Sequence, residues 1–272
     1  MKVEEIKAYI NKAWCDVERE FLEYLKIKNI PAIKIRFYVE NNSAWNMKSQ
    51  AEQPYCICCF HGIYYAVLEA LEDFNIEENK KDESIYILLK MIMWHEIFHI
   101  LLGHRIPRDE KERIKKNNEE IVLRQLEYIA DGMAIRTYMP FIITNKDECT
   151  QKENVIAQFL SLLYAYYLRM NKLEKNIGTP TNHPQSNVRF ELLLMCASQF
   201  IIEWNKCVPQ DKISESLVRA LCIRNLKKAN LSEYIFEIDY EEEIHKIVDI
   251  DYEHWIWKKY INPINEEFSF KQ

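Results

Sequence analysis

The segment Trp94-His95-Glu96-Ile97-Phe98-His99-Ile100-Leu101-Leu102-Gly103-His104 constrains this chain more than any other. It sets the pattern His-Glu-x-x-His inside a long apolar run that reads as a helix. Side chains four apart on a helix lie one above the other on a single face. His95 and His99 can therefore offer ring nitrogens to one ion, and Glu96 stays near enough to act on a water there. Burying two imidazoles and a carboxylate among Ile92, Trp94, Ile97, Phe98, Ile100 and Leu101 is costly unless a partner compensates them. A metal ion is such a partner. Residue types and spacing are those of a zinc hydrolase.

A catalytic zinc takes three protein ligands and keeps one position open. Gly103 and His104 fall one residue away from the metzincin pattern, in which a third His follows a Gly. On an ideal helix His104, five after His99, turns off the ligand face. A better third ligand lies in Glu127-Tyr128-Ile129-Ala130-Asp131, inside an apolar helical pattern at 121–139. Glu127 can reach the ion from this second helix. Asp131, one turn on, points the same way and can accept a hydrogen bond from a ligand histidine, fixing its tautomer. Ala130 is small enough to let the two helices approach closely. His183-Pro184 and Arg189 form a third element. Either His183 or Arg189 can face the ion and stabilise an oxyanion; equally, Pro184 can simply start a helix with His183 at the surface.

The bulk composition narrows the class. Gly is scarce at 4 and Leu, Ile, Lys and Glu are plentiful, which predicts a mainly helical protein. A net charge of −6 gives no basic excess, so no nucleic-acid partner is expected. The opening Met1-Lys2-Val3-Glu4-Glu5 is charged rather than an apolar export signal. No run of 18 uncharged apolar residues occurs, so no membrane association is expected. The most apolar candidate, 155–170, is broken by Gln158 and Arg169 and reads as a core helix. A cytoplasmic location and reduced thiols follow as expectations for the 8 Cys. Strand alternation puts Cys56 and Cys58 on one face beside Cys59, but no second Cys pair completes a four-ligand site. These three read as small apolar residues of a half-buried strand.

Along the chain, apolar spacing predicts a helix at 4–26, strands at 32–39, 43–47 and 54–60, and a helix at 63–74. A charged loop at 79–82 precedes the motif helix at 85–102, capped by Asp82 or Ser84 and ended by Gly103. The segment 105–120 reads as solvated loop or exposed helix. Helices at 121–139, 155–170 and about 187–207 follow, with Pro140 and 144–152 as a break and 177–186 as a loop. The tail from 211 shows weaker helical segments and an aromatic stretch (Tyr252, Trp255, Trp257, Tyr260). A soft boundary near Val208-Pro209 separates residues 1–208 from an extension at 209–272.

In order and residue type, these motifs resemble those of the gluzincin peptidases. His95-Glu96-x-x-His99 with Gly103-His104, Glu127-x-x-Ala130-Asp131, and Asn182-His183-Pro184 with Arg189 behind are similar to the HtpX type and its soluble relatives. The chain looks most like the phage-exclusion peptidase Lit family, in size, in lacking membrane spans and in carrying all three motifs. The likeness covers about 85–189. It departs in having Asn182 where that family commonly has Thr.

The resemblance implies an α+β, predominantly helical fold: a zincin-like minigluzincin core with a small N-terminal sheet and extra C-terminal helices. It implies Zn2+ held by His95, His99 and Glu127, with Glu96 as general base. Asp131 would orient a ligand histidine, His95 being the first choice, and His183 and Arg189 would act on the transition state. An edge strand, 43–47 in preference to 54–60, would bind substrate by strand addition. The expected activity is endopeptidase cleavage of an intracellular protein or peptide, with a host protein as target and a phage component as trigger. The competing expectation is a non-catalytic, zinc-containing sensor or binding protein of the same fold.

Overall fold

A computed structural model describes residues 1–74, 76, 78–104, 120–144, 149–177 and 186–231. They form an α+β protein that is mostly helical. Helix α1 (Val3–Ile27) is followed by strands β1 (Arg36–Glu40), β2 (Met47–Gln50) and β3 (Cys56–Phe60). Then come α2 (Ile63–Glu72), α3 (Glu78–Leu101), α4 (Glu120–Ile143), α5 (Cys149–Ile177), α6 (Ser186–Cys207) and α7 (Glu215–Lys228). His183, the segment 105–119 and the aromatic residues of 252–260 lie outside the described residues.

In α1 the apolar residues Ile6, Ile10, Ala13, Trp14, Val17, Phe21, Tyr24 and Leu25 recur every three or four positions, and all are buried. The helix ends where Asn29 takes a positive φ of 59°. The Ile30 N–H then donates to the Leu25 carbonyl at 2.9 Å and the Asn29 N–H to that of Lys26 at 3.2 Å. This is a Schellman turn.

The sheet has the order β1-β3-β2, with β1 parallel and β2 antiparallel to β3. The expected third strand is therefore central, and β2 is left at an edge beside α3. The edge strand lies at 47–50 rather than 43–47, and β1 is shorter than the pattern at 32–39 indicated. Ile57 and Cys59 are fully buried, while Cys58 sits opposite Tyr38 on β1. On the inner side of β1, Phe37 stacks on Trp14 with centroids 4.5 Å apart. The loop into β2 passes so close to Gly62 that a Cβ there would lie 2.1 Å from the Ser43 carbonyl oxygen.

Helix α3 occupies the middle of the molecule and touches α1, α2, α4, α5 and β2. Its stretch Lys80–Leu101 is long and apolar enough to cross a membrane, a length test the composition had not suggested it would meet. Of its apolar window, 83% is buried against the rest of the protein. A helix apolar on all sides needs neighbours on all sides, and the fold supplies them. The helix begins at Glu78, so Asp82 and Ser84 lie inside it rather than capping it. The charges at 80–83 mimic a loop in sequence because they form a solvated helix face, while Ser84 and Ile85 turn inward. The Tyr9 hydroxyl donates to the Asp82 carbonyl at 2.7 Å and ties this turn to α1.

Pro140 does not end α4, which continues to Ile143. A proline removes one backbone donor and crowds the preceding turn. Burial of Tyr138, Met139, Ile142 and Ile143 on either side of it offsets that local cost. Beyond Val208-Pro209 the chain stays in the same core: α7 buries Val218, Leu221, Cys222 and Leu226 against α5 and α6. Lys152 pairs with Asp211, and the Ser214 N–H donates to Glu153 at 2.5 Å. Residues 209–231 are thus continuous in packing with the preceding part. α7 also ends in a Schellman turn, with Asn230 at φ 55° and the Leu231 N–H on the Leu226 carbonyl at 2.9 Å.

Candidate metal centre

The motif helix is anchored from behind. Trp94 is fully buried and meets the rings of Phe21 and Tyr24 edge-on, at 6.2 and 5.8 Å; Phe98 meets Tyr24 at 5.9 Å. Lys90 pairs with Glu20 of α1 in the same buried layer, and the Trp94 Nε1–H donates to Glu20 at 3.4 Å. With that face held by α1, the His95/His99 face must turn toward α4. Ala130 and Ala134 are fully buried there, and their small side chains allow close approach.

The two helices bring His95, His99 and Glu127 together, with one potential ligand atom from each lying within 4.8 Å of the others. His95 Nε2 and His99 Nε2 are 2.9 Å apart. Glu127 reaches both: Oε2 lies 3.4 Å from His95 Nε2, and Oε1 lies 3.6 Å from His99 Nε2. Four-coordinate zinc with bonds of about 2.0–2.1 Å separates its ligand atoms by ~3.3 Å. Two imidazoles and a carboxylate at these separations fit such an ion with small adjustments.

Behind the three, Asp131 is 1% exposed and accepts from three side chains. His95 Nδ1 lies 2.8 Å from its Oδ1, and the Tyr167 hydroxyl donates to the same oxygen at 3.0 Å. Arg189 adds its Nη2 on Oδ1 at 2.8 Å and its Nε on Oδ2. The Arg189 guanidinium also lies over the Tyr167 ring, 3.8 Å from its centroid. Burial alone would raise the Asp131 carboxyl, but the Arg189 and His95 charges hold it down at about 2. Burial works against charge on His95, yet the Asp131 and Glu127 carboxylates outweigh it and lift the ring to about 10. The pocket thus attracts positive charge strongly.

Glu96 is 8% exposed and lines the cavity of about 420 Å³ that opens in front of His95 and His99. Asn46, Met47, Lys48 and Ser49 form one wall of it, so the free edge of the sheet faces the centre. Tyr166, Tyr167 and Met170 of α5 form another wall, and Arg189 reaches it as well. Of the residues singled out in the sequence, the structure gathers His95, Glu96, His99, Glu127 and Arg189 around this one cavity, with Asp131 buried behind His95. Arg189 spends two of its donors on Asp131, a pairing the sequence could not reveal. Tyr167 carried no signal: within α5 it reads as one more apolar core residue, and only its hydroxyl contact distinguishes it.

His104 is also part of this cluster, contrary to the ideal-helix expectation. Gly103 adopts φ 60°. The His104 N–H donates to the His99 carbonyl at 2.9 Å and the Gly103 N–H to that of Ile100 at 3.0 Å. The helix therefore stops in a Schellman turn and the chain doubles back. His104 Nδ1 comes to 2.8 Å from His99 Nδ1. Burial, followed by the nearby His99, keeps the His104 ring well below its usual pKa. Comparison of the chain with family models, with curated proteins and with solved structures gave no match.

Proposed function

We propose that this chain is a zinc-dependent endopeptidase of the gluzincin type, with a zincin-like core formed by the small sheet, α3 and α4. One observation carries this reading: the Nε2 atoms of His95 and His99 converge with the Glu127 carboxylate while both ring Nδ1 atoms are engaged elsewhere. Ring nitrogens and carboxylate oxygens brought this close need positive charge among them, a shared proton or a cation. A divalent cation with an affinity for imidazole and carboxylate meets that demand.

Zinc, when bound, would polarise a carbonyl and lower the pKa of water to about 7. The remaining roles fall to the chain. His95 and His99 hold the ion from one helix face and Glu127 from the other helix. Asp131 keeps His95 in the Nδ1–H tautomer, and Arg189 and Tyr167 keep Asp131 ionised and fixed. Glu96, inside the cavity, accepts the proton of the attacking water and passes it to the leaving amine. The β2 edge receives an extended peptide as an additional strand. Arg189 borders the cavity, which keeps it available to the transition state; the corresponding role of His183 rests on the resemblance alone. The location of Glu96 favours catalysis over a purely structural ion, because a structural site needs no base.

The test compares wild type with Glu96→Gln. Both should bind one zinc per chain. Hydrolysis of fluorescent casein, and new protein termini in cells expressing the chain, should fall by about 10²–10⁴ in the variant. A variant that cleaves at the wild-type rate would falsify the role of Glu96. A wild type that binds zinc and cleaves nothing would favour the sensor reading.

A further inference from the structure

We infer that His104 is a positioning residue, accepting the Nδ1 proton of His99 and thereby aiming His99 Nε2 at the ion. The inference rests on the metal-centre reading above and deepens it.

Two neutral imidazoles carry one N–H each. Facing Nδ1 atoms 2.8 Å apart therefore make one donor and one acceptor. If His99 is to present a lone pair on Nε2, its proton must sit on Nδ1. His104 is then the acceptor and carries its own proton on Nε2. The group opposite the coordinating nitrogen commonly sets the tautomer and orientation of a ligand histidine. For His95 that group is Asp131. For His99 the contact seen is His104.

The backbone explains how a residue so placed in sequence reaches this position. α1, α3 and α7 end in the same Schellman turn, with positive φ at Asn29, Gly103 and Asn230. This turn brings the residue after the positive-φ position next to the one five before it, usually as an apolar pair. In α1 those residues are Ile30 and Leu25, and in α7 they are Leu231 and Leu226. In α3 they are His104 and His99, with ring centroids 5.0 Å apart. A position normally filled by an aliphatic side chain here carries a hydrogen-bonding ring against a candidate ligand.

A histidine also suits the charge balance. Glu96 and Glu127 already border the centre and Asp131 lies behind His95, with Arg189 paired to it. A neutral acceptor orients His99 without adding another buried negative charge.

The test measures zinc affinity by competition with a chromophoric chelator, together with the visible absorption of the Co2+-loaded protein. His104→Phe keeps a ring but offers no acceptor. His104→Asn places an amide oxygen where Nδ1 was. The expected result is a 10–100-fold loss of zinc affinity and an altered Co2+ spectrum for His104→Phe, with His104→Asn near wild type. Equal affinities for the wild type and His104→Phe would overturn the inference while leaving the metal centre intact. No zinc binding by the wild type would overturn both. Nitrogen-15 spectra of the zinc-loaded wild type decide the matter should the variants fail to fold. They should show His99 protonated at Nδ1 and His104 at Nε2, and the reverse pattern at His104 would refute its role.

Discussion

Arg189 grips Asp131 with Nε and Nη2, from a helix that begins more than fifty residues further along the chain. The carboxylate that orients His95 is thereby neutralised from behind rather than by solvent. Breaking one partner of a buried ion pair strands the other. Asp131→Asn should therefore destabilise the metal-free protein by about 3–5 kcal/mol. Because the Asp131 pKa is about 2 in the fold, below its ordinary 3.8, its contribution is present above about pH 4. It is lost as the pH falls toward 2. Thermal unfolding of wild type and variant should differ most at pH 5–7, and the gap should narrow on acidification. A gap that stays constant down to pH 2 would show that the ion pair is not its source.

The edge strand offers a second test. The Phe60 N–H donates to the Asn46 carbonyl at 3.0 Å. In an antiparallel pair inward and outward groups alternate, so Ser49, three residues on, presents its N–H to the cavity side. Ser49→Pro removes that outward donor at a position where an edge strand tolerates proline. Zinc content and folding should persist while KM for a peptide substrate rises about tenfold, equivalent to one hydrogen bond of roughly 1–1.5 kcal/mol. An unchanged KM would exclude strand addition at β2.

Gly62 holds the same strand from its other end. A methyl group there would lie 2.1 Å from the Ser43 oxygen and 2.6 Å from the Ala44 oxygen, both of them backbone. Gly62→Ala should destabilise by about 1–3 kcal/mol through forced displacement of this loop. It should also raise KM, since Ser43 and Ala44 lead directly into the cavity wall at Asn46–Ser49. Denaturant titration checks the first effect and steady-state kinetics the second. A stable Gly62→Ala protein would show that the loop yields freely.

Much of the centre was legible before any folding was considered, because helical periodicity is local. Four-residue spacing alone puts His95 above His99, and the same spacing puts Asp131 one turn beyond Glu127. The apolar repeat of α1 and the alternation in β3 carry the same kind of information. Charge and proline were weaker guides. The charged stretch at 79–82 resembled a loop, and Pro140 resembled a terminus, because neither reading includes the burial that decides the matter.

What the sequence by itself determined is which residues share a face of one helix or strand: His95 with His99, Glu127 with Asp131, and the apolar stripe of α1. Only the tertiary structure decided what those faces meet. It brought Glu127 to both imidazoles, gave Asp131 its Arg189 and Tyr167 partners, left β2 rather than β3 at the sheet edge, and folded His104 back onto His99. The physical reason is range. Backbone geometry sets spacing over a few residues, whereas contacts between elements depend on where each helix stops and how its buried face is packed. At the end of α3 a single positive φ at Gly103 reverses what five-residue spacing on a continuing helix would have given.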